Sequence, residues 1–210
     1  MTFKCKLGLL TSLIFISFGL SAQEKDCTTK KLDNSEIIVK YCFSKFLDEN
    51  GNDLLLIEDS TITEAQIDFE KCVFLMKDVQ KHKLFTGDSE SRIVKTISDN
   101  EWIIYYYTNN PWPVKNSDCV SRMTFTENKD EKIAIFELVA APLEYEKGDV
   151  KRMQHFNVIY TFKDLGDGKV RITMRGKSSP PVKVPMWLVK SAFPKAPASA
   201  VRDIVKLVKE

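Results

Sequence analysis

Residues 101–118, EWIIYYYTNNPWPVKNSD, decide the fold. A run of aromatic and β-branched residues breaks at Asn109-Asn110 and at Pro111-Trp112-Pro113, and a second strand pattern begins at Asp118. Tyr, Trp and Ile pack well on a pleated surface, whereas proline ends a strand because it has no N–H to donate. Two such runs joined by a short break are expected to pair antiparallel.

Downstream of Glu90 the same pattern recurs, with strands expected at 92–97, 102–108, 118–126, 132–140, 152–163 and 169–176. Turn residues separate them: Asp99-Asn100, residues 128–130, Gly148-Asp149, and the hairpin signal Asp167-Gly168. This reads as an antiparallel meander. Upstream, strands at 36–46 and 53–58 flank Asn50-Gly51-Asn52 and form an N-terminal hairpin. A helix is expected next, with Thr63 as N-cap and Gln66 three residues on. Its apolar face would carry Ile67, Phe74 and Leu75, with Cys72 and Val79 at the edges. Residues 77–83 form a second short helix or a loop. At the other end Pro194 and Pro197 permit a helix start. Over 198–209, Val201, Ile204, Val205 and Val208 make an apolar stripe opposite Arg202, Asp203, Lys206 and Lys209. The class is α+β; the stripe must be buried, which a curved antiparallel sheet wrapped around a long C-terminal helix would satisfy.

Composition narrows the function. Lys4 and Lys6 precede an apolar run over 7–20 and then Ser21-Ala22-Gln23, the layout of a secretory signal peptide over 1–22. The run is shorter than the roughly 20 residues a membrane-crossing helix needs. Export to a periplasm or beyond is therefore expected, with residues 23–210 as one mature domain. Removing residues 1–22 takes away two lysines and no acid, leaving 29 basic and 29 acidic residues. A balanced charge argues against a nucleic-acid partner.

Four cysteines remain beyond residue 22: Cys27, Cys42, Cys72 and Cys119. Their spacing contains no C-x-x-C, and His82 and His155 are the only imidazoles, so neither a metal site nor a cofactor is expected. Cys27 with Cys42 is the disulfide to test first, since it would tie a loose N-terminus to the first strand. Cys72 and Cys119, among apolar neighbours, read as buried hydrophobes.

Strand alternation assigns an inner face, because successive side chains point to opposite sides. Placing Arg122 outside puts Cys119, Ser121, Met123 and Phe125 inside. By the same argument Ala134, Phe136, Leu138 and Ala140 oppose Glu137, and Val170, Ile172 and Met174 oppose Arg171 and Arg175. On the long strand the set Phe156, Val158, Tyr160 and Phe162 is taken as inward. Pattern alone does not choose between Trp102, Ile104, Tyr106 and Ile103, Tyr105, Tyr107.

The segment 101–118, with Pro142, VKRM at 150–153 and VPMWLVKSAFPKAP at 184–197, resembles a START (StAR-related lipid-transfer) domain. The resemblance covers most of the chain after residue 36 and implies the helix-grip fold, a cavity for one lipid or other apolar molecule, transient contact with a membrane, and a monomer. It also implies that Trp102, Ile104 and Tyr106 face inward. Tyr106 and Met123 stand where steroid-binding relatives carry an acid and a base, so the cavity here is more apolar. Ser117-Asp118 replaces the family's Arg-Asp, which leaves Asp118 in need of a partner. Arg152, matching a family arginine, is the candidate for Asp118 or for a ligand head group, and Trp187 is placed where the last helix docks or gates the cavity.

The candidate cavity set is thus Trp102, Ile104, Tyr106, Cys119, Ser121, Met123, Phe136, Leu138, Arg152, Val158, Tyr160, Ile172, Met174 and Trp187. Inward Met, Phe and Tyr serve packed cores more often than ligand walls. Catalytic motifs are missing: there is no G-x-S-x-G, H-E-x-x-H or phosphate loop, His82 sits in a lysine-rich stretch, and His155 is on the outer face. A non-enzymatic lipid carrier is the reading that joins these features. A cyclase- or aromatase-like enzyme on the same fold would need a titrating group facing the cavity. An interaction module would have the interior filled by side chains.

Overall fold

The computed structural model describes residues 25–32, 36–110, 112–146 and 148–210. The expected signal peptide falls outside the described residues. The N-terminal part is three strands, β1 (Asp26–Lys31), β2 (Ile38–Leu47) and β3 (Asp53–Gln66). Asp48 closes the β2–β3 turn by accepting from the backbone N–H groups of Asn50 and Asn52, while Gly51 adopts a positive φ of 77°. Next come α1 (Phe69–Lys77), a 3-10 turn at Val79–Lys81, and α2 (Lys83–Thr86). The meander follows as β4 (Glu90–Ser98), β5 (Glu101–Thr108), β6 (Ser117–Asn128), β7 (Ile133–Ala140), the two-residue β8 (Lys151–Arg152), β9 (His155–Asp164) and β10 (Lys169–Ser179). Helices α3 (Met186–Ala192) and α4 (Lys195–Lys209) end the chain.

Among the described residues these strands make one sheet in the order β1-β2-β3-β10-β9-β7-β6-β5-β4, with β8 alongside β6. Neighbours on the main path run antiparallel; short turns impose this on pairs such as β9–β10, while β3 and β10 pair across more than a hundred residues. The expected α+β helix-grip architecture is present, with α4 across the concave face. Val201, Ile204 and Val208 are buried there, and Val205 flanks the stripe. The helix begins at Lys195, three residues before the expected start. Pro197 is accommodated in the first turn, where its missing N–H has no helical partner to lose.

Four local expectations are corrected. Strand β3 runs on to Gln66, because its far half pairs with β10 from Lys169↔Gln66 to Ile172↔Thr63; Thr63 is a strand residue. The cap of α1 is Asp68, whose Oδ1 accepts from Lys71 N at 2.8 Å. That later start turns Cys72, Val73, Leu75 and Met76 inward and leaves Phe74 69% exposed. The expected strand 152–163 is divided, since Met153 and Gln154 separate β8 from β9.

Strand β1, which the hydrophobic pattern does not mark, is held by the Cys27–Cys42 disulfide, the two residues facing each other in the β1–β2 register. Cys72 and Cys119 are free and buried, as expected. Trp187 is not the docking point of the last helix: it is 67% exposed, while Val189 and Phe193 pack on Tyr41 and Phe43.

Candidate functional site

The concave face is not uniformly filled. Register aligns one row across four strands, Tyr41–Asp59–Gly176–Val158, and extends it to Leu138 on β7. Above this row lies a half-enclosed cavity of about 310 Å³. Its floor is Asp59, Gly176, Val158, Leu138, Met174 and Tyr160; its roof is Phe193, Ala196, Pro197 and Ala200 at the start of α4. His82, Thr86 and Asp88 close one side against Tyr106, Thr108 and Cys119. The small residues of α4 leave the space, since alanine cannot reach the sheet.

Six of the fourteen expected residues line this cavity: Tyr106, Cys119, Leu138, Val158, Tyr160 and Met174. Trp102, Ile104, Ser121, Met123, Phe136 and Ile172 do face inward, but they are buried without lining it. They lie under the C-terminal half of α4 and under α1, where Val201, Ile204 and Cys72 share their cluster. Arg152 lies on the other face. It pairs with Asp118 through Nε–Oδ1 at 3.0 Å and Nη2–Oδ2 at 2.7 Å, and donates to the carbonyls of Pro142 and Tyr145. The Asp118 partner is therefore identified, and the pair clamps the segment after β7 onto β6 rather than meeting a ligand. Trp187 does not line the cavity.

Sequence reasoning missed Asp59, His82, Thr86, Asp88 and Thr108. The strand containing Asp59 was expected to stop one residue short of it; continued with the parity of Ile57, it turns Asp59 inward. Gly176 was the other available signal, because a glycine inside a strand marks close approach of another group. A Cβ at Gly176 would lie 2.5 Å from Asp59 Oδ1, so the carboxylate occupies space that any other residue would deny it.

The electrostatics follow from burial. Desolvation raises the Asp59 pKa from its ordinary 3.8 to about 6, and its Oδ2 is buried without a hydrogen-bonding partner. Asp88 is also raised by burial, opposed by hydrogen bonds with Thr108 and Thr86. Burial, followed by the nearby charges of Asp59 and Asp88, raises the Tyr160 hydroxyl. His82, far from being a surface residue of a polar stretch, is 1% exposed. Burial lowers its pKa to about 4, so the ring is neutral. Its Nε2 faces the Met76 carbonyl at 2.8 Å and must carry the proton there. Nδ1 then accepts from the Tyr106 hydroxyl at 2.7 Å.

Nothing in this arrangement resembles an activated nucleophile. Burial pushes the Cys119 thiol up to about 12, away from the reactive thiolate. Among the described residues no group of three or more His, Cys, Asp or Glu is placed to hold a metal ion, and no helix is long and apolar enough to cross a membrane.

No protein-family profile and no curated protein matches the sequence. Solved structures do match. The STAR-related lipid transfer protein from Xanthomonas axonopodis superposes with a TM-score of 0.70 at 17% identity, covering 88% of this chain and 99% of that one. The human StarD13 (DLC2) lipid transfer and protein localization domain gives 0.65 at 20% identity, over 88% and 90%. The Zhui aromatase/cyclase from Streptomyces gives 0.53 at 5% identity, over 73% and 94%. The chain has the helix-grip fold of START domains.

Proposed function

We propose that this domain binds one apolar or amphiphilic molecule in the cavity beneath the start of α4 and releases it chemically unchanged. The observation that carries the reading is a half-enclosed, largely apolar cavity between the concave sheet and α4, in a fold shared with structures described as lipid-transfer proteins. Its volume of about 310 Å³ lies at the lower limit of small-molecule pockets. A single-chain ligand fits it better than a two-chain lipid, which would have to displace α4.

Access requires an opening. Phe193 and the start of α4 roof the cavity, and α3 packs beside them through Val189, Phe193 and Ala198, so the segment 185–197 is the hinge of choice for a lid movement. The expected signal peptide and the Cys27–Cys42 disulfide both support work outside the cytoplasm.

A catalytic reading has one specific observation in its favour: Asp59 is a titrating group at the cavity wall, with Tyr160 nearby. Native mass spectrometry of the purified protein tests both readings. A bound small molecule recovered unaltered supports the carrier; the same molecule returned with changed mass establishes an enzyme. An empty protein that also fails to take up short-chain amphiphiles at micromolar concentration overturns both.

A further inference from the structure

The polar atoms that reach the cavity are almost all acceptors. Tyr106 has committed its proton to His82, Thr108 donates to Asp88 Oδ1 at 2.6 Å, and Thr86 donates to the His82 carbonyl at 3.0 Å. Asp59 and Asp88 add carboxylate oxygens, and no Lys or Arg lines the wall. Of the donors, the Cys119 thiol is engaged with Ser121 Oγ at 3.5 Å, which leaves the Tyr160 hydroxyl. The protein therefore asks a ligand for hydrogens.

Asp59 states the demand most sharply. The side chain lines the cavity and is only partly covered, while its Oδ2 is buried without a partner; a donor reaching the carboxylate from the cavity would offset a burial that folding disfavours. Gly176 keeps the place open, since a side chain there would collide with the carboxylate. A carboxylate ligand is excluded by charge, with two acids and no cation at the wall. A hydroxyl brings one donor. An ammonium brings three and neutralises the buried charge as well.

We propose that the cavity takes an amphiphile whose polar end is a protonated primary amine, seated against Asp59, with its apolar chain along Val158, Leu138 and Met174. This rests on the reading that the cavity binds a ligand at all. A volume of about 310 Å³ corresponds to about ten water-sized groups, which suits a chain of about eight carbons.

The test is calorimetric titration of the protein with n-octylammonium, n-octanol and octanoate at about pH 7.5, where the amine is protonated. The expected order is octylammonium first, by about 10- to 100-fold over octanol, with octanoate weakest. Asp59→Asn and Gly176→Ala, each shown to melt cooperatively, should reduce the amine's advantage over octanol to less than about threefold. Octanol binding as tightly as the amine, or a full amine advantage surviving in folded Asp59→Asn, overturns the proposal and leaves the carrier reading intact. Failure of all three probes overturns both. Should Asp59→Asn not fold, the wild-type ranking and Gly176→Ala decide the matter.

Discussion

The two ends of the concave face are built from the same strands and differ in what the helix lays over them. Under the C-terminal half of α4, Ile204 and Val208 share a continuous core with Phe136, Phe162, Met123 and Ile172. The Phe136 ring lies 4.7 Å from Phe125 and 6.4 Å from Phe162. Under the N-terminal half the helix presents Ala196, Pro197 and Ala200, and the sheet presents Asp59 and Gly176. One end is close-packed; the other holds a cavity and an unpartnered acid. Side-chain size on one helix divides a single sheet face into a close-packed part and a part with space left over it, and the open part carries an energetic cost.

That division is tested most strongly at the packed end. Phe136→Ala should lower stability by about 3–5 kcal/mol, read from denaturant unfolding, because the fully buried ring leaves a void among rings that cannot collapse. A cost below about 1 kcal/mol would show that this end is not close-packed.

At the cavity end the effect should have the opposite sign. Asp59 has a folded pKa of about 6 against an ordinary value of 3.8, so the native state holds its proton to higher pH than the unfolded chain does. Stability then falls as pH rises from about 4 through about 6 and is level above, for a total of at most about 3 kcal/mol. Asp59→Asn should therefore match the wild type below about pH 4 and exceed it by up to that amount above about pH 6.5. Asp88, raised in the same direction, contributes to both proteins and cancels from the difference. Equal pH profiles for the two would remove the cost assigned to Asp59.

Filling the cavity separates binding from stability. Ala200→Leu should change stability by less than about 1.5 kcal/mol, because there is space for the larger side chain, yet abolish uptake of octanol and octylammonium in the same titration. The smallest effect is expected outside both regions: Trp187→Ala should shift stability by no more than about 0.5 kcal/mol and leave ligand affinity unchanged, the indole being largely exposed and not part of the cavity lining. A large loss of binding there would restore Trp187 as a gate.

Much of the fold was legible from local pattern. Alternation with period two placed Met123, Phe136, Tyr160 and Ile172 on the inner face without any coordinates, and the spacing of Val201, Ile204 and Val208 marked the buried side of α4. The site was less legible, for particular reasons. Alternation names a face but not a position along it, so Met123 and Met174 looked equivalent although one is packed and the other lines a cavity. Helical propensity at Thr63 was overridden by pairing with β10, a partner more than a hundred residues away, and the same extension carried Asp59 inward. His82 and Asp88 lie in a short polar segment whose burial depends on β5 and α4 closing over it.

By itself the sequence determined the α+β class, the inner faces of most of the strands and the apolar stripe of the last helix; the Cys27–Cys42 pairing was a first candidate that the structure bears out. These depend on residues near one another in the chain or on a strict backbone period. Only the tertiary structure decided where space is left between helix and sheet, that Arg152 serves Asp118 on the outer face, and that an unpartnered carboxylate faces the cavity. Each is a matter of which distant side chains meet and how large they are, and no local period carries that information.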